Sequence, residues 1–209
     1  MAQKPTFDYD IIIIGSGAGG SPAASIAARA GKKVAIIEQD EFGGESPTWG
    51  EVPLGAMLND ANTYDNAKKA DNFGLRTAAI GYNYPSILLW RDTVVKRTGA
   101  AGNRRYYEKQ SISTFNGTAH FLSPNEISIN RRHLSARKFL IATGTTWEIP
   151  DIPGIAETPY FTPKDILTLT RPPKTLFIIG STPSAIEIAS LMSIFGTKVY
   201  LADSATRIM

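Results

Sequence analysis

An α/β fold with two copies of one strand–helix–strand unit is predicted by an internal repeat in the sequence. Residues 10–15 read Asp-Ile-Ile-Ile-Ile-Gly, and residues 175–180, at an offset of 165, read Thr-Leu-Phe-Ile-Ile-Gly. The same offset, without a gap, brings Glu38 onto Asp203. Short β-branched runs that precede a glycine turn are typical of buried parallel strands. The repeat therefore favours two units built on parallel sheets.

The helix of each repeat copy is bounded by recognisable residues. Ala-rich stretches at 21–30 and 184–195 follow the two glycine turns. Each stretch ends at a glycine, Gly31 or Gly196, where a left-handed backbone is available without strain. A second apolar strand that ends at an acid follows each helix.

Charge and cysteine content exclude several classes of function. The 209 residues carry 22 basic and 19 acidic side chains, a net charge of +3 that is too balanced to indicate nucleic acid binding. The densest basic stretch, 131–138, is interpreted as a solvated hairpin end. The absence of cysteine excludes disulfides and thiolate metal sites, and two histidines make no metal site. The longest early apolar run, 11–14, predicts neither a signal peptide nor a membrane span, so we expect a cytoplasmic protein.

The stretch between the repeat copies has its own pattern. Helical spacing is predicted for 52–70 and for 85–109. Short β-like runs follow, and they cover 113–115, 118–121, 126–129 and 138–142. Asn116-Gly117 and 123–125 supply turn residues between these strands. This pattern predicts a small β-meander beside the parallel sheet.

The first glycine turn has the residues of a dinucleotide site. Residues 15–20 read Gly-Ser-Gly-Ala-Gly-Gly directly after a strand and before a helix. Gly15 permits the tight turn, Gly17 lets the backbone approach a pyrophosphate, and Gly20 lets helix and strand pack closely. The helix N-terminus favours the negative pyrophosphate, and Glu38 is placed to accept hydrogen bonds from ribose hydroxyls.

The next segment carries a family resemblance. Residues 43–58 read Gly-Gly-Glu-Ser-Pro-Thr-Trp-Gly-Glu-Val-Pro-Leu-Gly-Ala-Met-Leu. This resembles the active-site stretch of the pyridine nucleotide–disulfide oxidoreductases, of the dihydrolipoamide dehydrogenase, mercuric reductase and soluble transhydrogenase type. Ser46 and Glu51 stand at the two redox-cysteine positions, and Gly55 stands where the family usually has lysine. The Ala-Thr-Gly strand end at 142–144 and the Gly-x-Ala-x-Phe pattern at 117–121 are also similar to this family.

The resemblance implies an architecture and a cofactor. Residues 1–150 are expected to form a Rossmann-like FAD-binding domain with a parallel sheet plus β-meander. A connector at 151–174 would lead to the beginning of a Rossmann-like NAD(P)-binding domain at 175–209. Because two strands and one helix cannot cover a parallel sheet, we expect a fragment of a longer protein. The resemblance implies a homodimer for the full-length parent. The FAD contacts implied are Gly15, Ser16, Gly17, Ala18, Gly19, Gly20, Glu38, Gln39, Gly44, Glu45, Gly50, Ala119, Thr143 and Gly144.

The second glycine turn departs from the pattern of the first. It reads Gly-Ser-Thr-Pro-Ser-Ala from Gly180 to Ala185, so Thr182 replaces the middle glycine and crowds a pyrophosphate. By the resemblance, Glu187 faces the nicotinamide ribose and Asp203 is the adenosine-ribose acid, which favours NAD over NADP. These four residues, Gly180, Ala185, Glu187 and Asp203, are the predicted NAD(P) contacts.

The missing cysteines leave three interpretations open. One is a disulfide-free flavin oxidoreductase between small-molecule donor and acceptor, in which a buried Glu51 near the flavin exchanges protons. Another is a catalytically inactive dinucleotide-binding protein or sensor. The third is a disulfide reductase whose cysteines have been replaced. For Ser46 the alternative role is a cap on the helix near residue 52, and for Trp49 it is aromatic packing.

Overall fold

A computed structural model describes residues 6–76, 78–99 and 102–208 of the chain. The chain divides into two compact units. The first unit comprises Met1–Thr48 and Thr98–Thr146, and the second comprises Trp49–Arg97 and Trp147–Met209. The predicted domain limits near residues 150 and 175 stay a prediction, since compact units need not coincide with domains.

Eight strands and seven helices are formed by the described residues. In chain order they are β1 Tyr9–Ile14, α1 Gly20–Arg29, β2 Val34–Glu38, α2 Glu45–Thr48, α3 Glu51–Lys68, α4 Tyr84–Thr98, α5 Arg104–Glu108, β3 Ser113–Asn116, β4 His120–Ser123, β5 Glu126–Ile129, β6 Arg132–Ile141, α6 Pro163–Ile166, β7 Thr175–Ile179, α7 Pro183–Ile194 and β8 Lys198–Ala202. Short 3₁₀ turns cover Ala70–Phe73 and Ile155–Glu157. None of these helices is long and apolar enough to cross a membrane.

The first unit contains a six-stranded mixed sheet in the order β3-β2-β1-β6-β5-β4. The four strands β3, β2, β1 and β6 run parallel, and β5 and β4 continue as an antiparallel meander. Alternate residues of β1 lie on opposite faces of the sheet. Ile12 belongs to a core cluster with Ile127 and Ala136, whereas Ile13 belongs to another with Ala24 and Ile36. The predicted α/β class, with a parallel sheet plus β-meander, is confirmed.

The second unit is built on a parallel pair, β7 and β8. Its core comes from α3, α4, α6 and α7, with Met57, Leu191 and Met192 fully buried. Tyr84 at the start of α4 joins this core, and its hydroxyl has no hydrogen-bond partner among the described residues. Burial raises the pKa of the Tyr84 phenol.

The repeat predicted from the sequence is confirmed in strand register. Ile11 lies opposite Val34 in the first unit, and Leu176 lies opposite Val199 in the second, at the same offset of 165. Each helix of the repeat ends at a left-handed glycine, with φ of 71° at Gly31 and 94° at Gly196. The two copies therefore share one backbone design as well as a sequence pattern.

Three expectations about local structure are corrected. The helix expected over 85–109 is two helices, α4 and α5, because the backbone is left-handed at Gly99 and Gly102, both with φ of 62°. The strand expected at 138–142 begins at Arg132, so most of the basic stretch lies along β6 with exposed charged side chains. The turn between β5 and β6 is made by Asn130 and Arg131, which both have positive φ.

The Asn116-Gly117 pair has a different role from the expected turn between neighbouring strands. β3 pairs with β2 and β4 pairs with β5, so the two strands that flank these residues lie at opposite edges of the sheet. The Asn116 side chain donates to the backbone oxygens of Glu38 and Asp40, at 3.0 and 2.7 Å. It therefore fixes the chain just beyond β2.

Candidate functional site

The glycine turn after β1 is constrained by backbone packing at both of its ends. Gly15 has φ of 98°, and a Cβ there would overlap the Ala142 carbonyl at the end of β6. A Cβ at Gly20 would overlap the Gly15 carbonyl. The Gly15 N–H donates to the Ile37 carbonyl at 2.8 Å, which ties the turn to β2. Two of the three motif glycines are thus required by the fold itself.

Gly17, the third motif glycine, is not required by the fold. Its φ is not positive, and a Cβ there would lie 3.8 Å from the Gly44 Cα, an ordinary contact distance. The N-terminus of α1 follows this glycine: the Ser21 N–H donates to the Gly17 carbonyl at 3.0 Å, and no side chain caps the helix. An uncapped helix N-terminus beside a glycine without a packing reason fits a phosphate that approaches the backbone closely.

Glu38, at the end of β2, is held by four hydrogen bonds. Its Oε2 accepts from the Ser16 N–H at 2.9 Å and from the Ser16 hydroxyl at 2.7 Å. Its Oε1 accepts from the backbone N–H groups of Gln39 and Asp40, at 2.9 and 3.2 Å. The carboxylate is half-buried, and these bonds fix it beside the glycine turn.

The 43–44 segment is fastened to the same turn. The Gly43 N–H donates to the Ser16 hydroxyl oxygen at 3.0 Å. Gly44 has φ of 75°, and a Cβ there would overlap the Gly17 Cα, so two backbones touch at this point. Tyr107, whose ring is buried, reaches the Ser16 carbonyl at 3.5 Å, and burial raises the pKa of its phenol.

The strand end at Thr143 and Gly144 lies beside the first turn, as expected for the carboxyl edge of a parallel sheet. Thr143 is a near neighbour of Gly15, and the Ala142 N–H donates to the Ile14 carbonyl at 2.8 Å. Both Thr143 and Gly144 are exposed, with φ of 73° at Gly144. The structure thus brings this pair to the glycine turn.

The remaining predicted FAD contacts differ in exposure. Ala119 is partly buried and packs against the core cluster that contains Ile12 and Ile127. The others on the surface of the first unit are Ala18, Gly19, Gln39 and Glu45. No described feature tests their roles, which stay predictions.

The two positions that match the family's cysteines fall in different units. Ser46 is exposed within α2 of the first unit, and Glu51 is exposed at the first residue of α3 in the second. The expected burial of Glu51 is therefore wrong. The expected cap by Ser46 is also wrong, because Gly50 is the N-cap of α3 and no side chain caps it. Trp49 packs against Trp147, with ring centroids 6.1 Å apart, which agrees with a packing role.

The second glycine turn repeats the first with one added side chain. Gly180 has φ of 101° and donates its N–H to the Ala202 carbonyl at 2.8 Å. The Ile186 N–H donates to the Thr182 carbonyl, the equivalent of the bond that starts α1. The Thr182 hydroxyl also accepts from the Ala185 N–H at 3.4 Å. This turn therefore satisfies one of its own helix donors.

Asp203 follows β8 and is exposed. A hydrogen bond from the Ser181 side chain, with backbone N–H groups that include Ala205 at 2.7 Å, holds the Asp203 pKa below its ordinary value. Glu187 is exposed on α7. Sequence reasoning did not predict the pairing of Ser181 with Asp203. The serine at the same position of both copies, Ser16 and Ser181, could have indicated it.

Within the described ranges, no group of three or more histidine, aspartate or glutamate residues is arranged to hold a metal ion. In each unit the structure brings together a glycine turn, the helix that follows it and the acid at or just after the end of the second strand.

Comparison with known proteins agrees with this arrangement. The chain belongs to the family described as pyridine nucleotide-disulphide oxidoreductases, whose model matches residues 9–209. It is 32% identical over 201 residues to a dihydrolipoyl dehydrogenase of Acholeplasma laidlawii, covering 94% of the chain and 60% of that protein. A mercuric reductase of Bacillus cereus is 30% identical over 209 residues, covering 100% of the chain and 33% of that protein.

A solved structure with a similar fold is a Cu(II) complex of the HOCl-induced flavoprotein disulfide reductase RclA of Escherichia coli, in a cysteine-to-serine mutant. It matches with a TM-score of 0.81 at 26% identity, over 98% of this chain and 44% of that one. The chain thus spans about a third to three fifths of the curated relatives named above. The family is FAD-dependent and uses NAD(P)H.

Proposed function

We propose that the chain binds FAD at the first glycine turn and serves an oxidoreductase that moves hydride from NAD(P)H to a small-molecule acceptor without a redox disulfide. FAD, when bound, supplies the ring system that takes up and releases hydride. The family membership supports the oxidoreductase class. The acceptor itself is left open.

The proposal rests on the observation that position 17 is glycine although the fold would accept a side chain there. The fold gives no steric or conformational reason for glycine at this position, whereas it does at Gly15 and Gly20. The uncapped N-terminus of α1 and the fixed carboxylate of Glu38 flank the same backbone. A pyrophosphate on the helix N-terminus with its ribose near Glu38 would use all three features.

The amino-acid composition supports hydride transfer from the flavin to the acceptor without a redox disulfide. The 209 residues contain no cysteine, and neither Ser46 nor Glu51 can exchange electrons with a flavin. A carboxylate at position 51 can still donate or accept a proton. We therefore assign Glu51 a proton-transfer role and Ser46 a polar contact in the proposed reaction.

The second turn supports NAD over NADP in the complete protein. The carboxylate of Asp203 is anionic at neutral pH, with its pKa held below the ordinary aspartate value, and an anion there repels the additional phosphate of NADP. Gly180, Ala185 and Glu187 complete the proposed NAD contacts. The side chain of Thr182 weighs against tight binding.

We also propose an arrangement of domains, an oligomeric state and a location for the full-length protein. They are an FAD domain over 1–150, a connector at 151–174, the beginning of an NAD(P) domain at 175–209, a homodimeric full-length protein and a cytoplasmic location.

The test is a visible absorption spectrum of the purified chain, recorded before and after addition of FAD and gel filtration. A flavin band that co-elutes with the chain is expected, together with bleaching by NADH in the full-length protein. Absence of flavin from the full-length protein would contradict the FAD assignment. Flavin that is retained but not bleached would favour the inactive dinucleotide-binding protein instead, an alternative that the capped second turn favours.

A further inference from the structure

Ser16 is the most deeply buried polar residue of the first turn, with 0% of its surface exposed. Its hydroxyl lies 2.7 Å from Glu38 Oε2 and 3.0 Å from the Gly43 nitrogen. Since the Gly43 N–H can only donate, the Ser16 hydroxyl accepts from it and must send its own hydrogen to Glu38. The side chain is thereby turned inward, away from any ligand on the turn.

The two partners of Ser16 belong to different parts of the proposed site. Glu38 is the acid at the end of β2, and Gly43 begins the segment that continues to positions 46 and 51. Gly44, one residue on, touches the backbone of Gly17. The Ser16 hydroxyl is therefore a bridge of two hydrogen bonds between the acid and this segment.

We infer that Ser16 is a positioning residue that couples the ribose-binding acid Glu38 to the 43–44 segment, and that it acts through these partners without its hydroxyl contacting FAD. This inference rests on the proposed FAD site. A hydrogen bond to a charged carboxylate is stronger than one between neutral groups, so the coupling is directed mainly through Glu38.

The second repeat copy provides independent support. Ser181, at the same offset of 165, lowers the pKa of Asp203, the counterpart of Glu38, through its side chain. A serine at the second position of the turn is thus paired with the acid at or just after the end of the second strand in each copy.

The first arm of the test needs no FAD. Hydrogen exchange at the Gly43 amide is measured by mass spectrometry of peptides that cover 39–50. Ser16→Ala should speed this exchange on the order of tenfold, because the N–H loses its acceptor. Ser25→Ala is the matched control: Ser25 is also buried, 2% exposed, but its hydroxyl pairs with Tyr106 at 3.3 Å and not with the turn.

The second arm measures FAD affinity by fluorescence titration in a double-mutant cycle. Ser16→Ala should weaken FAD binding on the order of tenfold in the native background. In the Glu38→Ala background, Ser16→Ala should lower FAD affinity by less than about threefold, because the acid that Ser16 positions is gone. Ser16→Cys keeps the side chain's size with a weaker donor, so an intermediate affinity is expected, and it serves if Ser16→Ala does not fold.

Additive losses in the cycle, an unchanged Gly43 exchange rate, or an equal affinity loss in Ser25→Ala would each overturn the inference. Failure of the unmodified chain and of the full-length protein to bind FAD would instead overturn the proposed function. In that case the exchange arm alone decides whether Ser16 holds Glu38 and Gly43 together.

Discussion

The two repeat copies share their backbone frame and differ in how they treat the first turn of the helix. In both, a glycine near φ of 100° starts the turn, and the first helical hydrogen bond arises at the equivalent place, on Gly17 or Thr182. Glycine at position 17 leaves the first-turn donors without a side-chain acceptor, whereas Thr182 caps its own helix. The frame is thus set by the strands and the flanking glycines, and the capacity for a phosphate is set by one residue.

Substitution of alanine for the first glycine of each turn is expected to give the largest difference in stability between the two copies. Both Gly15 and Gly180 have φ near 100°, so Ala is strained at either position by about 2 kcal/mol. Only at Gly15 would the Cβ also overlap a backbone carbonyl, since Gly180 has open space. Gly15→Ala should therefore lower the free energy of unfolding by at least about 2 kcal/mol more than Gly180→Ala. Urea denaturation of the two variants makes the comparison, and equal losses would contradict the role given to Ala142.

Substitutions at the equivalent positions 17 and 182 should change binding more than stability. Gly17→Ala meets only an ordinary contact, so the free energy of unfolding should change by less than about 1 kcal/mol while FAD affinity falls on the order of tenfold. Thr182→Gly removes a cap at a cost of a few tenths of a kcal/mol and should raise NADH affinity in the full-length protein. Titration calorimetry measures both affinities. Undiminished FAD binding by Gly17→Ala would remove the main support for the site.

The smallest effect is expected at the serine–acid pair of the second copy. Ser181→Ala should raise the pKa of Asp203 toward its ordinary value, because the hydroxyl hydrogen bond is the largest cause of the lowering. With a folded pKa below the unfolded value near 3.9, the bond stabilises the folded chain above that pH and the effect is lost as pH falls through the folded pKa. NMR titration of the carboxyl carbons measures the change. Asp165, whose pKa is lowered by Thr162, is the internal control and should not move.

Sequence reasoning recovered the features that depend on local pattern. The repeat at 165, the left-handed glycines that end α1 and α7, and the parallel sheet with its meander follow from runs of a few residues with fixed spacing. The helix expected through 85–109 was wrong because two glycines three positions apart can be tolerated in a helix or can end it, and only packing decides. The extension of β6 to Arg132 was missed since charged residues dominate its exposed face.

The inner arrangement of the site could not be predicted in the same way. The Ser16 hydroxyl bonds to Glu38 and to Gly43, which lie 22 and 27 positions further along the sequence. These hydrogen bonds depend on the relative placement of β1, β2 and the 43–44 segment. Position 16 was predicted as a cofactor contact, but the inward direction of its hydroxyl depends on burial. The exposure of Glu51 likewise depends on the position of α3 in the second unit.

The backbone contact between Gly17 and Gly44 has a consequence for variation of this chain. A side chain at position 44 would strike position 17, and the φ of 75° at Gly44 adds a conformational cost of its own. The constraint is one-sided, because the clash is with backbone atoms of Gly17 and no change of side chain at position 17 would relieve it. A mutational scan that reads out folding should therefore record intolerance at position 44 and tolerance of alanine at position 17.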